Sequence, residues 1–184
     1  AGLYREGPVP RALARAEPPV MRRGVKAAAW ALFALYGLIM LWLLFIRGRQ
    51  PEMMSYFIGH GEYWKWVSWS VNLRPFHTIA EFLETLSTKE GYLARHAFVN
   101  LAGNVAMFVP LGVFLPLLMR KLRRFWRFLL VCALTIALVE TAQALLLVGS
   151  ADVDDLILNL CGVSIGFPFG LLAVKLLDKG DREN

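Results

Sequence analysis

Residues 27–46 read AAAWALFALYGLIMLWLLFI, twenty residues without a formal charge, set between Lys26 and Arg47. As a helix rising about 1.5 Å per residue, this block reaches across a hydrocarbon layer about 30 Å thick. It is too long for a strand and longer than the apolar region of a cleaved signal segment. Its end, Phe45-Ile46-Arg47, also lacks a small-x-small cleavage pattern. The block therefore reads as a membrane anchor. Three more follow: Ala97–Met119 without a charge, Phe128–Val148 with Glu140 alone, and Leu156–Val174 without a charge. The expected fold is an all-α integral membrane protein with four transmembrane helices.

Composition agrees with that reading. Of 184 residues, 57% are hydrophobic and 18% are charged, against about 25% charged in ordinary soluble domains. An ordinary soluble enzyme and a disordered chain are both excluded. The formal charge is +6, from 20 Lys and Arg against 14 Asp and Glu. The bases stand mostly at the ends of the apolar blocks, which points to lipid headgroups and topology, with no nucleic acid as partner. Cys132 and Cys161 each fall inside an apolar block and read as small buried side chains, with neither a disulfide framework nor a metal site.

Arg120, Lys121, Arg123, Arg124 and Arg127 crowd the link between the second and third blocks, with no acid among them. By the positive-inside rule that link is cytoplasmic, and an even number of crossings puts both termini inside. Arg22, Arg23 and Lys26 before the first block and Lys175 and Lys179 after the last agree, while Arg47 and Arg49 oppose. The link 149–155 carries Asp152, Asp154 and Asp155 and is placed outside. The expected organisation is a cytoplasmic N-terminal tail over 1–25, rich in Pro, Arg and Ala, a four-helix membrane domain over 26–175, and a cytoplasmic C-terminal tail over 176–184. The membrane is expected to be the bacterial cytoplasmic one, with both termini inside.

The fifty-residue link from Arg47 to His96 is too long for a bare connector. Met53, Met54, Phe57 and Ile58 precede Tyr63, Trp64, Trp66 and Trp69, aromatic rings suited to the headgroup layer. Beyond them, Phe76, Ile79, Phe82, Leu83 and Leu86 recur at three and four, opposed by Glu81 and Glu84. That spacing predicts an amphipathic helix over Phe76–Leu86, lying in the outer membrane interface. Gly91 ends it or opens the turn into the second span.

Polar residues inside the spans carry the functional signal. A carboxylate within a span costs several kcal/mol unless a partner or a wet cavity receives it, so Glu140 is the most informative residue. Gln143 falls on its face of the helix. Asn100 and Asn104 stand one turn apart in the second span, and Asp152, Asp155 and Asn159 recur at helical spacing at the start of the fourth. Asn72, Arg74 and His77 precede the interfacial helix. All map to the outer half, where a shared polar pocket competes with interhelical hydrogen bonding as the explanation. Asp152, Asp154 and Asp155 could ligate a hard cation or cap a helix, and capping is the stronger reading. No metal or cofactor is expected. Gly162, Gly166 and Gly170, spaced by four, predict a close helix contact, and Pro110, Pro116 and Pro168 local loosening.

Four blocks in this order resemble the VanZ-like family of bacterial membrane proteins, over about residues 26–175. They are Asn72-Leu73-Arg74-Pro75-Phe76-His77-Thr78-Ile79; Asn100-Leu101-Ala102-Gly103-Asn104 with Phe108-Val109-Pro110-Leu111-Gly112; Glu140-Thr141-Ala142-Gln143; and Asp152-Val153-Asp154-Asp155-Leu156-Ile157-Leu158-Asn159 with Gly162 and Gly166. Family members commonly carry an arginine shortly before the last block, where this chain has Val148-Gly149-Ser150-Ala151. The resemblance implies a cell-envelope role associated with resistance to the glycopeptide teicoplanin. It also implies that another cation, such as Arg74, replaces the missing arginine or that an activity is lost.

Two functions remain in competition. In the first, the outward pocket recognises or modifies a lipid-linked or glycan component; Glu140 or Asp155 acts as general base, and Arg74 holds an anionic group, with His77, Asn100, Asn104, Gln143, Asp152, Asp154 and Asn159 lining it. In the second, the chain is a non-catalytic accessory subunit with membrane-protein partners. Membrane lipids are partners under both. A transporter is the weakest class, because no inverted repeat is visible.

Overall fold

The structure, a computed structural model, describes residues 23–47, 56 and 59–183, with side chains to residue 177. Helix α1 covers Arg23–Leu41 and closes in a π-helical turn over Trp42–Ile46. Helix α2 (Tyr63–Trp69), the two-residue strand β1 (Val71–Asn72) and helix α3 (His77–Thr88) form the long link. Helix α4 spans Tyr92–Leu118, a 3-10 turn follows at Arg120–Arg123, and α5 spans Phe125–Leu145. Strand β2 (Ala151–Asp152) leads into α6, Val153–Glu183.

Four helices are long and apolar enough to cross a membrane: Arg23–Ile46, Tyr92–Leu118, Phe125–Leu145 and Val153–Leu177. Each contains most of its expected block, and α4 begins a turn earlier, at Tyr92, after Gly91 turns the chain with φ 66°. The fold is all-α and multi-pass, with α2 and α3 as additional helices too short to span. The tail read over 1–25 lies, up to residue 22, outside the described residues, as do Met53, Met54, Phe57 and Ile58. Helix α6 continues through the stretch read as a C-terminal tail as far as Glu183.

The core sits between α4, α5 and α6. Phe128, Cys132 and Ile136 of α5 meet Phe108 and Leu115 of α4 and Val163 and Phe167 of α6, and the Phe128 and Phe167 rings lie 4.7 Å apart. The glycine spacing does what it predicted. A methyl group at Gly162 or Gly166 would strike the backbone carbonyl of Val105 or Val109, and one at Gly112 would strike that of Val163. Close approach of the α4 and α6 backbones leaves no room for a side chain there. Cys132 is buried, but Cys161 is exposed, which corrects its expected burial. Its neighbours on that side of α6, Ile165 and Phe169, also point away from the bundle, because the glycine face takes the contact.

Helix α1 lies at the edge, joined to α4 by the Tyr36 hydroxyl, which donates to the Met107 carbonyl at 2.8 Å in the turn that Pro110 interrupts. At the other end of α4, Arg123 Nε donates to the Pro116 carbonyl at 3.2 Å, satisfying one of the helix's last acceptors. Helix α3 packs beside α4, with Ile79, Leu83 and Leu86 bordering an apolar groove against Phe98, Leu101 and Val105. Phe76 was expected inside that helix. It instead precedes it in a left-handed conformation, φ 63°, with its side chain 63% exposed.

Candidate functional site

The polar residues gather at the end of the bundle where α5 stops and α6 begins, and they divide into two groups. The first is a lock. Strands β1 and β2 pair in parallel, Val71 with Ala151 and Asn72 with Asp152, and Ala151 N donates to the Ser70 carbonyl at 2.8 Å. Asp152 Oδ2 accepts the Thr78 hydroxyl at 2.6 Å and the Asn72 amide at 3.2 Å, while Asp152 Oδ1 accepts Asp154 N at 2.8 Å. Asp152 thus caps its own helix, as expected. Asp154 does not. It is fully buried and accepts the backbone N–H groups of Phe76 at 2.5 Å and Ile79 at 3.0 Å. Helix α3 has no capping side chain of its own, so a carboxylate from α6 supplies one from across the fold.

The second group is an acid and amide cluster. Glu140 is 8% exposed; its carboxylate accepts the Asp152 backbone N–H, and its Oε1 accepts the Asn159 amide at 3.5 Å, a long contact. Asn159 is 2% exposed, and its Oδ1 has no donor among the described residues. Asn104 Nδ2 donates to Asp155 Oδ1, and Asp155 and Asp152 lie within electrostatic reach of Glu140. Among the described residues no Lys, Arg or His makes an ion pair with these acids. Such pairs form elsewhere, Lys65 with Glu62 at 3.4 Å and His77 with Glu81 at 3.8 Å. A cavity of about 140 Å³ opens against Glu140 and Asp152, with Leu73, Thr141 and Leu156 among its walls. Also among the described residues, no three His, Cys, Asp or Glu side chains are grouped to hold a metal ion.

Expected neighbours fall unevenly. Asn104, Asp152, Asp154, Asp155, Asn159 and Glu140 come together. Arg74, read as the likeliest cation for Glu140, has an exposed side chain, and its backbone N–H donates to Asn72 Oδ1 at 3.1 Å. His77 is turned to Glu81 along its own helix. Asn100 reaches back one turn to the His96 carbonyl at 2.9 Å. Gln143 is 5% exposed but donates to the Leu44 carbonyl at 2.8 Å, pinning the π-helical turn of α1 to α5.

Four contributions were not visible in the sequence. Thr78 stands in a quoted block, yet its bond to Asp152 needed a partner seventy-four positions away. Leu73 and Thr141 line the cavity through proximity alone. Tyr63, read as an interfacial aromatic, donates its hydroxyl to the Leu145 carbonyl at 2.6 Å, tying α2 to the end of α5.

A family model described as VanZ/LLP1 matches residues 33–176. No curated protein and no solved structure matches the chain.

Proposed function

The chain belongs to the VanZ/LLP1 family, and on that premise we propose a cell-envelope protein whose outward-facing pocket recognises or modifies a lipid-linked or glycan component in glycopeptide resistance. One observation carries this reading: Glu140, buried within a span, borders a cavity with the Asp152 backbone N–H and a long amide contact as its donors and, among the described residues, no cation. Asp154, by contrast, is fully buried against the two backbone N–H groups it accepts. A carboxylate that borders a cavity within a span with no cation beside it among the described residues is costly enough to favour a functional role.

The chemistry at hand supports recognition more than reaction. Glu140 and Asp155 are acceptors that can also take a proton. Nearby hydroxyls are committed: Thr141 donates to the Ala137 carbonyl at 2.7 Å and Thr78 to Asp152. Exposed Arg74 gives no support to its expected task of holding an anion at Glu140.

The test is Glu140→Gln, scored for folded yield in mild detergent and for glycopeptide susceptibility of cells expressing it. Normal yield with protection reduced to the empty-vector level is expected. Wild-type protection at normal yield would remove the carboxylate from the function. The accessory-subunit reading has its own support in the groove between α3 and α4, about 610 Å³ and lined by apolar side chains. Under that reading a stoichiometric partner travels with the chain through purification, and Glu140→Gln leaves resistance intact.

A further inference from the structure

The cluster around Glu140 is unbalanced in a specific sense: it is rich in acceptors and short of donors. Glu140 and Thr141 line the cavity, the Thr141 proton already given to Ala137, and Asp152 lines it with a carboxylate whose oxygens accept Asn72, Thr78 and Asp154 N. Behind Glu140 lies the Asn159 amide, 2% exposed, with its oxygen unpartnered. A buried polar atom without a partner costs about 1–3 kcal/mol and is rare in native proteins. Asp155 adds negative charge alongside, and the only donor it receives in this cluster is Asn104.

We propose that this pocket binds a primary ammonium group, carried by an amino sugar or by an aminated lipid headgroup. An ammonium has three N–H donors and no acceptor, the complement of what the cavity offers. Its positive charge offsets acids that no base among the described residues pairs with. A divalent metal fits less well, since it needs about six oxygen ligands and the described residues group no three acid, His or Cys side chains around one point. An anionic group would meet carboxylates with no cation beside them. The inference rests on the pocket reading above and names the ligand chemistry that pocket takes.

Full-length protein in dodecyl maltoside, melted with tryptophan fluorescence as readout, tests it. The probes are glucosamine and mixed micelles of phosphatidylethanolamine. N-acetylglucosamine and phosphatidylglycerol serve as counterparts without the ammonium. A saturable rise in melting temperature is expected with at least one ammonium probe and with neither counterpart. Glucosamine acting alone assigns the amino sugar, and phosphatidylethanolamine acting alone assigns the lipid. Glu140→Gln should weaken the response at least tenfold. Leu73→Trp should do the same by filling the cavity mouth, and because Leu73 is 75% exposed the protein should still fold. The proposal is overturned by no saturable rise with either ammonium probe, by an equal rise with the counterparts, or by a rise with Mg²⁺ or Ca²⁺ instead. If the ammonium probes fail while Glu140→Gln still loses resistance, the ammonium assignment falls and the pocket reading stands. If both fail, the pocket reading falls too.

Discussion

Asp154 and Glu140 are both buried carboxylates at one end of the bundle, and their surroundings assign them opposite tasks. Asp154 is enclosed by the two N–H groups it caps, so its charge is compensated and its removal leaves donors stranded. Asp154→Ala should cost about 2–4 kcal/mol, the penalty for unpairing buried polar groups around a charge. Thermal melting in detergent would read the loss, and proteolysis of the 70–91 link should accelerate because α3 loses its cap. Glu140→Gln should leave the melting temperature unchanged or raise it, since the Asp152 backbone N–H and a 3.5 Å amide contact give little back for a charge held out of water. If the two variants melted alike, the division between lock and pocket would be wrong. Gln143→Leu belongs with the lock: the side-chain bond from α5 to the Leu44 carbonyl is lost, and the expected cost is about 1 kcal/mol.

Between elements, the contact of α4 with α6 is set by glycine. Gly166→Ala would drive a methyl group into the Val109 carbonyl and against Gly112, so backbones rather than side-chain tips must move. The expected cost is about 1–3 kcal/mol by melting, the usual range for overpacking. Gly37→Ala, with open space around it in α1, should be neutral or slightly stabilising through helix propensity. Equal effects at the two sites would contradict the seam. This contact and the four spans were legible in the sequence, because uninterrupted apolar length and a four-residue glycine repeat are local signals. The lock was not. Asn72, Thr78, Asp152 and Asp154 all drew attention or stood in quoted blocks, yet their pairing is set by the meeting of β1 with β2, eighty residues apart. An aspartate near a helix start reads the same whether it caps its own helix, as Asp152 does, or another, as Asp154 does. For the same reason Arg74 was joined to Glu140 on charge alone, when the turn at Asn72 and Pro75 carries it to the surface.

On the scale of the whole molecule, charge is segregated along the bundle. Arg120, Lys121, Arg123, Arg124 and Arg127 surround the turn between α4 and α5, and Glu140, Asp152, Asp154 and Asp155 collect at the opposite end. Basic residues beside short links are retained on the cytoplasmic side, whereas acids influence orientation little. The bundle is therefore expected to stand with the basic turn inside and the Glu140 cavity outside, where an envelope ligand can reach it. The link 47–96 carries bases as well, Arg47, Arg49, Lys65, Arg74, Lys89 and Arg95, but they are spread along it with acids between them, whereas the five stand together in one short turn. Ser150 and Lys121 are both exposed and sit at opposite ends, so each can carry a reporter cysteine without disturbing the core. With Cys132 and Cys161 replaced by alanine, an impermeant maleimide added to intact cells should modify Ser150→Cys, and modify Lys121→Cys only after the membrane is opened. Labelling of Lys121→Cys in sealed cells would invert the bundle. The cavity would then face the cytoplasm, and a ligand on the outer surface would be out of its reach.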